Sequence, residues 1–162
     1  MCNGWSMYNK YIKELKEALD IKTPVDLDEF VSKFKDVDII YGVPNEYEDI
    51  AHSYIIEGVY TIKVRDSKLT DDNKYWIAVE LGHIFLNHLD KSLKLYNEYH
   101  NEWEYEAEEF ARELLMSEDE FRKVVYENSE DGVCDLIAVG NHFKVDSEIV
   151  LVKGKFLRLF PF

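Results

Sequence analysis

The chain has 162 residues, 46% of them hydrophobic and 14% aromatic, which suits a folded core and excludes a disordered tail protein. With 33 acidic against 19 basic side chains the net charge is −14 at pH 7, which excludes a nonspecific grip on phosphate backbones by clustered Lys and Arg. Cys2 and Cys134 are the only cysteines, too few for a disulfide framework or a Cys-based zinc knuckle.

No apolar run follows the N-terminus, where the charged stretch Lys10 to Glu17 begins at once, so no secretory signal is expected. None of the later runs approaches the roughly 18 apolar residues of a membrane-spanning helix. A soluble, cytoplasmic protein with no membrane and no direct nucleic-acid partner is the expectation. With 7 glycines, 3 prolines, no linker composition and no repeat, residues 1–162 are expected to form a single domain.

In residues 7–19, Tyr8, Tyr11, Ile12, Leu15, Ala18 and Leu19 recur at helical spacing with Lys and Glu between them, predicting an amphipathic helix that Thr23-Pro24 ends. A second helix is predicted from about Asp26 to Phe34, with Leu27, Phe30, Val31 and Phe34 on one side. The period then changes. Val37–Tyr41, Ala51–Ile56 and Val59–Val64 are rich in β-branched and aromatic residues and read as three short strands, the last two joined by a tight turn at Glu57-Gly58.

Thr70, followed by Asp71 and Asp72, reads as the N-cap of a long helix through Gly82, His83 and Leu86. Further helices are predicted at about 101–115, 118–127, 132–143 and from Ser147 to about Leu157. The fold class is α+β, a small antiparallel three-stranded sheet packed against several helices. Between Glu98 and Asp131 stand 13 acidic and 3 basic residues, read as a solvated helical face.

The segment Ala78-Val79-Glu80-Leu81-Gly82-His83 carries the sharpest chemical signal, and Glu106-Ala107-Glu108-Glu109-Phe110-Ala111-Arg112-Glu113-Leu114-Leu115-Met116 follows about twenty residues later. A zinc hydrolase of the H-E-x-x-H type needs two imidazoles four residues apart, with a Glu beside the first to deprotonate the metal-bound water. Glu80 and His83 occupy the base and second-imidazole places of that frame. Leu114, Leu115, Met116, Trp76, Phe85 and Phe110 read as core, and Gly82 as a point of close approach by a neighbouring segment.

These two stretches, with a C-terminal Phe143-Lys144-Val145-Asp146-Ser147, resemble the ImmA/IrrE family of metallopeptidases, whose members carry A-H-E-L-G-H followed by E-A-x-x-F-A-x-x-L-L-M. The resemblance spans nearly the whole chain and implies a zincin-like metallopeptidase core, with His83 and Glu106 as zinc ligands and Glu80 as general base. Family members cleave helix-turn-helix repressors, so the implied partner is such a repressor or a similar regulatory protein. Val79 departs from the pattern, standing where the family has its first zinc-binding histidine.

An isopropyl group has no lone pair, so zinc binding is expected to be weak or absent, and hydrolysis with it. A valine beside Glu80 also favours the protonated carboxyl. His52, on the second strand, is the side chain considered for rescue. His88 lies five residues past His83, about 140° round a continued helix, and is expected to point away. His100 and His142 read as surface or packing residues. Glu80-x-x-His83 with Glu102, Glu106 and Glu109 is the alternative, an oxygen-rich site for Mn, Mg or Fe.

The leading functional expectation is a metallopeptidase-like regulatory protein that keeps the fold and binds its partner without zinc chemistry. The alternatives are an active zinc endopeptidase with a substituted ligand, and an acidic inhibitor that mimics nucleic-acid charge.

Overall fold

A computed structural model describes residues 4–90 and 93–160, and the side chains of residues 8–90 and 98–160. Cys2 lies outside the described residues. The chain forms two compact units, one of residues 26–111 and one that joins the segment up to Val25 with the segment from Arg112 onward. No described helix is long and apolar enough to cross a membrane.

In the unit of residues 26–111, α2 (Leu27–Ser32) starts at Asp26, whose carboxylate accepts from the N–H groups of Asp28 and Glu29 as the acidic first turn suggested. The strands are β1 (Val37–Tyr41), β2 (Ala51–Ile56) and β3 (Val59–Val64), at the expected positions. Glu57 and Gly58 both take positive φ, 50° and 82°, and close the β2–β3 hairpin.

The sheet corrects one expectation, for it is mixed rather than antiparallel. Its order is β1-β3-β2, with β2–β3 antiparallel and β1–β3 parallel. The loop after Tyr41 carries the chain past one strand position, so β2 runs opposite to β1 at the far edge. The hairpin then returns β3 between them in the direction of β1. Strand periodicity reveals which face is buried but not the order of the strands.

Next comes α3 (Asp71–Phe85), where the Thr70 side chain accepts from Asn73 N–H and the Asn73 side chain accepts from Thr70 N–H. It packs on β2 and β3 with Ile77, Ala78 and Leu81 fully buried. Phe85 meets Phe30, Phe34 and Phe110 at ring separations of 5.0–5.7 Å, which joins α3 to α2 and to α4 (Leu93–Leu115). Phe110 is core as expected, whereas Trp76 is 44% exposed. It lies one position off the buried stripe of α3.

Helix α1 (Gly4–Ala18) begins about one turn before residue 7, where the periodicity places its start. Gly4–Ala18 shares the second unit with α5 (Glu118–Glu127), α6 (Leu136–Phe143) and α7 (Ser147–Phe156). Ile12, Leu114, Leu115, Met116, Phe121, Val139, Phe143 and Val150 are fully buried. The helix expected from residue 132 begins only at Leu136, because a two-stranded hairpin, β4 (Ser129–Glu130) and β5 (Val133–Cys134), precedes it. Asp131-Gly132 turns that hairpin with φ of 51° and 80°, a dipeptide suited to such a turn.

Candidate functional site

Helical spacing places Val79 and His83 one turn apart on α3, and both line a cleft of about 910 Å³ with Tyr47, His52, Trp76 and His100. Val79 is 4% exposed and His83 7%. The place at which the resemblance implies a first ligand is therefore filled by buried hydrocarbon.

Glu80 faces β2. Its Oε2 accepts the backbone N–H of Ser53 at 2.9 Å and also the Ser53 hydroxyl. Burial pushes the Glu80 carboxyl up, opposed by the Ser53 hydrogen bonds and by His83 and His52.

His88 does not point away. Helix α3 stops at Phe85, and Asn87 takes a left-handed conformation, φ 59°, that turns the chain back. His88 N–H then donates to the His83 carbonyl at 2.9 Å. The two rings meet with Nδ1 to Nδ1 at 2.9 Å, and His88 stacks on Trp103 with centroids 5.2 Å apart. An Asn just past the last periodic residue is a helix-stop signal, and it marked this reversal in the sequence.

The carboxylates of α4 divide between the two rings. Glu106, the third ligand that the resemblance implies, places Oε2 3.2 Å from His88 Nε2. Glu104, two residues earlier, stands 3.4 Å from His83 Nε2 and 3.7 Å from His100 Nδ1. Glu104, His88, His100 and Ser53 thus join Glu80, His83 and Glu106, the residues to which the motif points. His142 belongs to the other unit, 3.0 Å from Glu120. His52 lines the cleft, but its Nδ1 pairs with Asp49 at 3.1 Å and its ring stacks on Tyr47.

A three-ligand zinc site needs three lone pairs converging at about 2.0–2.3 Å on one point. Val79 supplies none, the Nδ1 atoms of His83 and His88 face each other, Glu104 and Glu106 attach to different rings, and Glu80 is held by Ser53. Among the described residues no group of three or more His, Cys, Asp or Glu is placed to hold a metal ion, the Glu102, Glu106 and Glu109 set included. The donors as they stand do not fit the zinc site that the resemblance implies.

Glu104, His83, His88 and Glu106 instead form one continuous chain of polar contacts. Burial, followed by the like charge of Glu102, pushes the Glu106 carboxyl up, whereas the hydrogen bond from His83 outweighs burial and holds Glu104 below the usual carboxylate range.

A carboxylate depressed in the folded state adds stability that is full above its unfolded value, about 4.3, and lost as pH falls through the lower folded value. Glu104→Gln is therefore expected to flatten the acid-unfolding curve below about pH 4, followed by circular dichroism. An acid limb identical to that of the parent would show that the pair contributes nothing.

The model of a peptidase family described as the IrrE N-terminal-like domain matches residues 39–153, more than two thirds of the chain. No curated protein matches it.

Proposed function

This chain belongs to the IrrE N-terminal-like peptidase family, and from that premise we propose that it is a metallopeptidase-like regulatory protein with an impaired zinc site, acting by binding a regulatory protein. The resemblance points to a helix-turn-helix repressor as the class of partner. One observation carries the reading: Val79, 4% exposed, stands in the first ligand place and leaves His83 without its paired imidazole.

Loss of groups behind the ligands commonly costs about 10–100-fold in metal affinity, and removal of a ligand costs more. The cleft itself persists. Tyr47 and Trp76, 60% and 44% exposed, offer aromatic surface of the kind that anchors protein partners.

Metal analysis of the purified chain after equilibration with micromolar zinc tests this directly. The expected result is substoichiometric zinc in the parent chain and a rise of at least about 100-fold in affinity in Val79→His. Near-stoichiometric zinc in the parent, lost in His83→Ala, would overturn the reading in favour of an active endopeptidase with a substituted ligand. The imidazole of His88, 2.9 Å from His83, is then the substitute to remove next.

A further inference from the structure

We propose that Ser53 is a second residue, independent of Val79, that withholds Glu80 from base chemistry by holding its carboxylate against the outer edge of β2. The inference rests on the reading above and concerns the regulation of the same site.

Among the described residues, the sheet order β1-β3-β2 leaves one side of β2 without a neighbouring strand. Ser53 stands opposite Ile62 of β3, yet its N–H goes the other way, 2.9 Å from Glu80 Oε2. The Ser53 hydroxyl donates to that same oxygen. Both lone pairs of Oε2 are taken by one residue, and this double anchor fixes the direction in which the second oxygen, Oε1, can offer a lone pair. A general base needs a lone pair aimed at the proton it removes, within hydrogen-bond reach.

The contact joins two regular elements, since Glu80 is the tenth residue of the 15-residue α3 and Ser53 sits mid-strand. It also satisfies two needs of the fold. A buried carboxylate requires donors, and an unpaired strand edge requires a cover. Any extended segment adding to β2 at Ser53 has to displace Glu80 first. Ser53 is thus a positioning residue, and its effect is to keep this part of the cleft closed to strand addition.

Amide hydrogen exchange of the full chain reads the contact without any metal. Ser53 N–H is expected to exchange slowly, and about 10–100-fold faster in Glu80→Ala, the range set by a hydrogen bond to a charged group. Ile62 N–H is expected to keep its rate. An unchanged rate at Ser53 overturns the proposal.

The chemical half is tested in zinc-loaded Val79→His with a quenched-fluorescent peptide library as probe. Adding Ser53→Ala is expected to raise hydrolysis at least about tenfold, and Ser53→Thr, which keeps the hydroxyl, is expected to leave it low. Equal rates in Val79→His with and without Ser53→Ala, including no hydrolysis in either, overturn the role of Ser53 while the reading of Val79 stands. Zinc-dependent hydrolysis by the parent chain instead overturns that reading.

Discussion

Replacing Glu113 by alanine is expected to destabilise the protein by about 3–5 kcal/mol, the usual cost of stripping one partner from a buried ion pair. Glu113 Oε2 lies 2.8 Å from Lys153 Nζ, with side chains only 9% and 6% exposed, and Oε1 accepts the Glu118 N–H at the start of α5. Lys16 is buried nearby, its Nζ donating to the Leu114 carbonyl and to Ser117 Oγ.

Burial lowers the Lys16 pKa, and the charge of Glu113 is the largest influence opposing it. In the alanine variant two buried ammonium groups lose their main counter-charge together. Urea unfolding of the variant measures the loss, and Glu113→Gln with Lys153→Met is expected to recover part of it, since of the two buried ammonium groups only Lys16 then lacks the Glu113 charge. A loss below about 1 kcal/mol, typical of exposed pairs, would contradict the buried-pair account.

Gly82→Ala is expected to lower stability by about 1–3 kcal/mol and to disorganise the site, although alanine favours helix by about 1 kcal/mol. A Cβ at Gly82 would stand 2.7 Å from the Ala107 carbonyl oxygen and 2.9 Å from its Cα. Both are backbone atoms of α4, so no side chain can swing aside. Relief requires α3 and α4 to separate, and α4 carries Glu104 and Glu106, which hold His83 and His88.

The thermal midpoint gives the energetic cost, and imidazole chemical shifts report whether the two rings have parted. A Gly82→Ala protein as stable as the parent, with unshifted His83 and His88 resonances, would contradict the close approach of α3 and α4 at Ala107.

Strands, caps and most helices were legible because each is set by neighbours in sequence. Thr70 needs only Asn73 to cap α3, and Glu57-Gly58 needs only its own positive φ to turn the hairpin. The same local logic applies at Asn87, a helix-stop residue that takes the left-handed conformation just past α3. A helix extended past it sends His88 about 140° away from His83, whereas the left-handed residue brings the rings within 2.9 Å. Asp131-Gly132 is a second such case, a hairpin turn absorbed into a predicted helix.

By itself the sequence determined the α+β class, the family membership and the absence of a donor at Val79, since residue identity and short-range periodicity suffice for each. Only the tertiary structure decided that β1 lies parallel to β3, that Glu104 rather than Glu106 meets His83, and that Ser53 captures Glu80. Spacing fixes an angle about one helix axis or one face of one strand. It carries no distance between elements, and each of those three outcomes is a distance between elements, set by how α3, α4 and the sheet pack.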